Sequence, residues 1–136
     1  MRPSVPDVVV EWRGHFESPE VEALHSEGFA HAIADYDWRG QVERHSLGWV
    51  CARMEDRLIG WVNLAWDGAE HAFLLDTLVA ETARRRGVAT RLVAVAVDHA
   101  RAEGCEWLHV DFDAELAPFY AGACGFRPTP AAIMAL

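Results

Sequence analysis

Val79-Ala80-Glu81-Thr82-Ala83-Arg84-Arg85-Arg86-Gly87-Val88-Ala89-Thr90 separates a strand-like run from a long amphipathic helix, and its reading decides the fold. Before it, His71–Val79 has the branched and aromatic content of a strand. After it the period changes. Val88, Leu92, Val95, His99 and Ala102 share a helical stripe, with Arg91, Asp98 and Arg101 opposite, until Gly104 ends the run. Another strand-like run, Glu106–Phe112, follows at once. Strand, helix and strand in that order make a β-α-β unit, whose strands run parallel with a right-handed crossover. Its strand-to-helix turn is where α/β proteins meet phosphates, because a helix amino terminus offers unpaired N–H groups and a partial positive charge. Gly87 and Ala89 leave room for an anion against that backbone, and Arg84, Arg85 and Arg86 supply cations. Charge alone does not separate this from a solvated basic helix start; the two small residues favour the anion site.

Outward from this unit, Gly48–Met54, Leu58–Trp66 and His71–Val79 are strand-like runs with only short separators, Glu55-Asp56-Arg57 and Asp67-Gly68-Ala69. Such short connections favour an antiparallel meander. Val8–Arg13 reads as a first strand, and Ser18-Pro19 as a cap and first helical residue for a helix over about 19–33, with Val21, Leu24, Gly28, Phe29 and Ala32 at helical spacing. The polar stretch Asp35–Ser46 fits either a short helix or a loop. A short helix around Leu116–Cys124, closed by Gly125, precedes a last extended segment ending near Leu136. The expected class is therefore α/β (α+β), a mixed sheet in which an antiparallel meander is followed by a parallel β-α-β unit, with helices on both faces.

At 136 residues, 51% of them apolar, the chain suits one domain spanning 1–136. Apolar runs such as Leu92–Val97 are far short of a bilayer span, and no basic-then-apolar leader pattern opens the chain, so a cytoplasmic, membrane-free protein is expected. Cys51, Cys105 and Cys124 form no C-x-x-C pair or zinc-ligand spacing, which points to buried free thiols and no metal. The net charge of −9 argues against a nucleic-acid partner. There is no lysine, and four of the 12 basic residues lie within Arg84–Arg91. Lacking lysine, the chain has neither a Walker A loop nor a pyridoxal-phosphate Schiff base, and G-x-G-x-x-G, G-x-S-x-G and H-E-x-x-H are also missing.

Arg84-x-x-Gly87-x-Ala89 resembles the cofactor loop of the GCN5-related N-acetyltransferase (GNAT) superfamily, and Phe119-Tyr120 before Cys124-Gly125-Phe126 resembles its second motif, one residue longer or shorter. The similarity is best over residues 71–127. It implies a GNAT-like acyl-CoA N-acyltransferase fold and acetyl-coenzyme A as cosubstrate. It also implies that main-chain groups at Leu78 and Val79 hold the pantetheine arm, that amides of Arg85, Arg86, Gly87, Val88, Ala89 and Thr90 hold the pyrophosphate, and that the two parallel strands splay to admit the cofactor. Arg85 stands where the family often has glycine, Glu81 where it often has proline, and Asp113 where an asparagine often contacts pantetheine.

An amine attacking a thioester must first lose a proton, and the departing thiolate must gain one. Tyr120 is the acid candidate through the motif; without it, a core tyrosine bonded to a carbonyl is the better reading. Asp76 is the base candidate, being the sole charge in Phe73–Val79, although a structural hydrogen bond or an ordered water that acts as the base meets the same requirement. Trp49, Trp61 and Trp107 are assigned to core packing, Trp38 to an acceptor lid, and His71 and His109 to strands near the site. Asp35, Asp37, Asp111 and Asp113 lean the acceptor towards a small cationic amine. A non-catalytic acyl-CoA sensor and a protein or peptide N-terminal acetyltransferase are the alternatives. Dimers are common in the family, which leaves a homodimer open.

Overall fold

The computed structural model describes residues 7–136. Its centre is one five-stranded sheet in the order β1-β2-β3-β4-β5: β1 (Val8–Trp12), β2 (Ser46–Met54), β3 (Arg57–Trp66), β4 (His71–Val79) and β5 (Trp107–His109). Neighbours from β1 to β4 are antiparallel and β4–β5 is parallel, as the short turns and the crossover helix require. Helices α1 (Ser18–Phe29) and α2 (Trp38–His45) pack on β2, β3 and β4, while α3 (Val88–Ala102) packs on β1 to β4.

The core lies where β3 meets the helices: Ile59, Trp61, Val62 and Leu64 are fully buried, and Val21, Val42 and Leu92 close over the sheet. In α3 the buried stripe is Val88, Leu92, Val93, Ala96 and Ala100. It is rotated from the expected stripe, so that His99 sits at its margin and stacks on Trp12 at 4.2 Å while Ala102 is exposed.

Several local expectations are corrected. Helix α1 begins at Ser18 and is capped by Glu17, whose N–H donates to Glu20 Oε1 at 2.9 Å; Ser18 Oγ instead accepts the Arg39 N–H of α2. It stops at Phe29 and not near 33, because Ala30 turns left-handed (φ 51°) and His31 N–H donates back to Ser26 O. Buried Glu22 draws the following chain inward, accepting Ala34 N–H at 2.8 Å and Trp38 Nε1 at 3.1 Å. Trp38 is thus a core residue, edge-on to Trp61, and no exposed lid. The polar stretch does form a helix, α2, with Asp37 accepting the Gly40 N–H as its cap. The segment at 114–123 is a 3-10 turn followed by a π-helical turn, Pro118–Ala123, and residues 126–136 form no strand. Pro128 and Pro130 deprive that segment of two ladder donors.

Of the cysteines only Cys51 is buried, and burial pushes its thiol up to about 12; Cys105 and Cys124 are half-buried. Trp107 is 53% exposed, against its assignment to the core, whereas Trp61 is buried and Trp49 half-buried with its indole N–H on Gly14 O.

Gly48 is buried beneath the Trp12 ring, and a Cβ there would fall among the ring atoms. Gly48→Ala is expected to destabilise the fold by about 1–3 kcal/mol through overpacking. Urea denaturation of variant and parent measures this, and equal midpoints would show that Trp12 yields without cost.

Candidate active site

Two elements build the site: the distal half of β4 and the turn into α3. Between β3 and β4 the register jumps from Trp61↔Leu78 to Asn63↔Leu75, so Asp76 and Thr77 together oppose Val62 in a β-bulge. Asp76 takes the left-handed backbone (φ 54°) that this requires. The bulge sends the two side chains to different partners. Asp76 Oδ1 lies 3.5 Å from His25 Nε2 of α1, and Tyr120 donates its hydroxyl to Thr77 Oγ1 at 3.3 Å.

Beyond the bulge, Ala80 N–H donates to Ile59 O at 2.8 Å. By antiparallel alternation, Leu78 directs its backbone groups to β3 while Val79 turns its N–H and C=O outward. That edge is open. The ladder to β5 covers only His71–Phe73 against Trp107–His109, and Val110–Phe112, expected to continue β5, leaves the sheet to place the Phe112 ring on Tyr120 at 4.9 Å. The strands therefore part from Leu74 onward.

Val79 leads through a 3-10 turn, Glu81–Ala83, to Arg84, whose Nε reaches back to Val79 O at 3.4 Å. Arg84, Arg85 and Arg86 are all exposed. Gly87 caps α3 with φ 74° and no side chain caps the helix. The first N–H groups, at Val88, Ala89 and Thr90, consequently have no intrahelical acceptor. A Cβ built on Gly87 would meet nothing within 4 Å, so the space before the helix is open. An outward strand edge, a parted neighbour strand and an uncapped helix start fit a long ligand with a phosphate at one end. Arg85 is also left-handed (φ 65°), which explains why glycine suits that position.

Burial raises the Asp76 carboxyl above its ordinary range, with His25 pulling it back, and burial likewise raises the Tyr120 hydroxyl, with the Thr77 hydrogen bond opposing. Tyr120 is 7% exposed and boxed by Phe112, Phe119 and Phe126. Asp113 is exposed, and its carbonyl accepts the Leu116 N–H. His71 and His109 do lie on β4 and β5, where they pair with each other at 2.7 Å at the start of β4, before the bulge. Of the four expected aspartates, Asp37 is spent as a helix cap. Sequence reading missed His25, whose only signal is its position one turn after Val21 on α1. A groove of about 710 Å³ runs between Phe73–Leu75 of β4, the segment 107–112 and the tail near Ile133, and neither Asp76 nor Tyr120 lines it.

The profile of the acetyltransferase (GNAT) family matches residues 9–126, which is most of the chain. The chain belongs to the GNAT family. This makes it an acetyl-coenzyme A-dependent N-acetyltransferase. Solved structures agree in fold. A GNAT-family acetyltransferase of Streptococcus pneumoniae is 18% identical with a TM-score of 0.75, covering 95% of this chain and 98% of that one. An aminoglycoside N-acetyltransferase in complex with coenzyme A is 18% identical with a TM-score of 0.74 (100% and 98% covered). Glucosamine-6-phosphate N-acetyltransferase of Arabidopsis thaliana is 14% identical with a TM-score of 0.70 (93% and 98%). No functionally curated protein is similar enough in sequence to match. Among the described residues of this acetyltransferase, no helix is long and apolar enough to cross a membrane.

Because Arg85 occupies a backbone region costing a non-glycine residue about 1–2 kcal/mol, Arg85→Gly should stabilise the acetyltransferase modestly, by up to about 1 kcal/mol after the entropy of glycine is deducted. Thermal unfolding reads this out; a clearly lower midpoint would mean that the arginine side chain holds the turn.

Proposed function

We propose that the protein moves an acetyl group from acetyl-coenzyme A to the primary amine of a small, cationic acceptor by direct attack. The observation that carries this reading is the convergence over residues 76–79. There β4 bears a half-buried carboxylate, then a threonine holding a tyrosine hydroxyl, then an outward-facing backbone that leads into an uncapped helix start.

In this reading the amides of Arg85, Arg86, Gly87, Val88, Ala89 and Thr90 hold the pyrophosphate, with the Arg84, Arg85 and Arg86 side chains around it. Val79 offers its outward N–H and C=O to the pantetheine arm; Leu78, expected to share that role through its main chain, turns those groups to β3 instead, and Asp113 lies in the loop opposite. The bound cosubstrate supplies a thioester, whose C–S bond is exchanged for a C–N bond to the acceptor. Asp76 takes a proton from the acceptor's ammonium, and its raised affinity for protons suits it to that role. Tyr120, kept protonated by burial, has a proton ready for the departing sulfur. Two protons leave the nitrogen and one goes to sulfur, so one net proton must be carried from the site in each turnover. The carboxylates of Asp76 and buried Glu22 beside α1 favour a cationic acceptor there, and the arginines favour the polyanion at the other end.

A turnover screen of acetyl-coenzyme A with diamines, aminoglycosides, amino acids and peptides tests the activity. Turnover confined to small amines supports the reading, peptide-only turnover points to N-terminal acetylation, and binding without turnover points to a sensor. Gly87→Glu should abolish coenzyme A binding in calorimetry while circular dichroism stays native, because bulk and like charge enter the open cradle. Unchanged affinity would remove the cofactor loop from this segment. Tyr120→Phe should retain affinity and lower turnover about a hundredfold for loss of the acid. A parental rate would return Tyr120 to the core.

A further inference from the structure

His25 belongs to a second constellation. His25 Nδ1 lies 2.6 Å from His31 Nε2, and His31 Nδ1 lies 2.7 Å from the carbonyl of Ala32. A carbonyl can only accept, so the neutral His31 ring carries its hydrogen on Nδ1 and presents a bare Nε2 to His25. His25 must then donate through Nδ1. While both rings are neutral, this leaves His25 Nε2 without a hydrogen and pointing at Asp76 Oδ1, 3.5 Å away; once protonated there, His25 is the donor that pulls the Asp76 carboxyl back down. Two lone pairs face one another across that gap, and it is a place for one proton.

We infer that His25 and His31 form a relay that accepts the acceptor amine's proton at the Asp76–His25 gap and delivers it to the surface at His31. The inference rests on the reading of Asp76 as the base. In the transfer, the nitrogen's proton arrives on Asp76 and passes to His25 Nε2, while the hydrogen on His25 Nδ1 moves to His31 Nε2. His31 is then an imidazolium, bonded through Nδ1 to Ala32 O and 3.9 Å from Glu22 Oε2, whose carboxylate is held ionised by the Ala34 N–H and the Trp38 indole. Solvent removes the Nε2 proton from His31, whose side chain is 36% exposed against 23% for His25, and the pair is reset for the next turnover when the hydrogen left on His25 Nε2 is exchanged back to Nδ1. The charged groups facing the two rings are Asp76 of β4 and Glu22 of α1; Phe29 and Trp38 cover His25 at 4.5 and 5.0 Å. His25 and His31 are positioning and relay residues in this scheme, with Asp76 the group that meets the amine.

Three variants of the full chain, each normalised to coenzyme A binding sites, are assayed from about pH 6 to pH 10. Asp76→Asn tests the base itself: a loss greatest near neutrality, recovering as the acceptor arrives deprotonated, is required. His25→Gln should then lose about tenfold or more in kcat/KM near neutrality, with the loss shrinking towards high pH. His31→Gly, in an exposed loop, should show the same pattern and regain rate when imidazole is added. Parental pH profiles in both histidine variants beside an impaired Asp76→Asn would overturn the relay alone; a fully active Asp76→Asn would overturn the base and the relay together. A pH-independent loss without imidazole rescue would assign the histidines to structure. Nitrogen NMR of histidine-labelled protein, at a pH where both rings are neutral, gives a readout free of activity. Protonated Nδ1 with bare Nε2 is expected on His25 and on His31, and an Nε2–H on His25 would defeat the proposal.

Discussion

The bulge at Asp76-Thr77 is the constraint on which the rest of the site depends. Placing two residues opposite Val62 forces one into left-handed backbone, and an aspartate there costs about 1–2 kcal/mol relative to an ordinary strand residue. The surrounding structure over-determines it. Val62 and Leu64 of β3 are fully buried, and Leu78 just beyond the bulge packs within reach of Gly28 on α1, so the strand cannot relax its register without exposing apolar surface. The bulge does three things at once: it turns Asp76 to His25, gives Thr77 to Tyr120, and adds the local twist that accompanies parting from β5.

What could be read from the sequence was what repeats. The meander β2–β4 and helix α3 announce themselves by period, and the motif positions 84–89 and 119–126 by spacing. Pairwise and reversing features were hidden. A bulge is a property of two strands, so Phe73–Val79 looked like any apolar run with one stray charge. Glu22 was invisible as a core residue because its burial depends on Ala34 and Trp38, which lie beyond the helix end. Trp38, placed among polar residues, read as exposed for the same reason. The loss of Val110–Phe112 from β5 reflects aromatic packing of Phe112 on Tyr120, a contact that no local pattern encodes. Arg85 was identifiable as a departure from glycine, but only the left-handed φ gives that departure a physical meaning.

Asp76 and the arginines stand at opposite ends of the site. From Asp76 to Val79 a strand advances only about 10 Å, and Glu81, whose N–H donates to Glu27 Oε1, lies between Val79 and Arg84. A ligand pair with an ammonium at one end and a polyphosphate at the other is oriented by that field before any specific contact forms. A proton leaving along α1 passes between Asp76 and Glu22.

The early end of α1 is therefore part of the chemistry. Had the helix continued through Ala32, His31 would stand about 9 Å further along the axis from His25 and some 240° around it, on another face. The left-handed turn at Ala30 folds the chain back so that the two imidazoles meet at 2.6 Å, and the Ala32 carbonyl that fixes their hydrogens is free to do so only because it is no longer in a helix. Glu22 holds this reversal in place through Ala34 and supplies the counter-charge beside His31. The residue that holds the reversed chain and the residue beside the outgoing proton are thus one carboxylate.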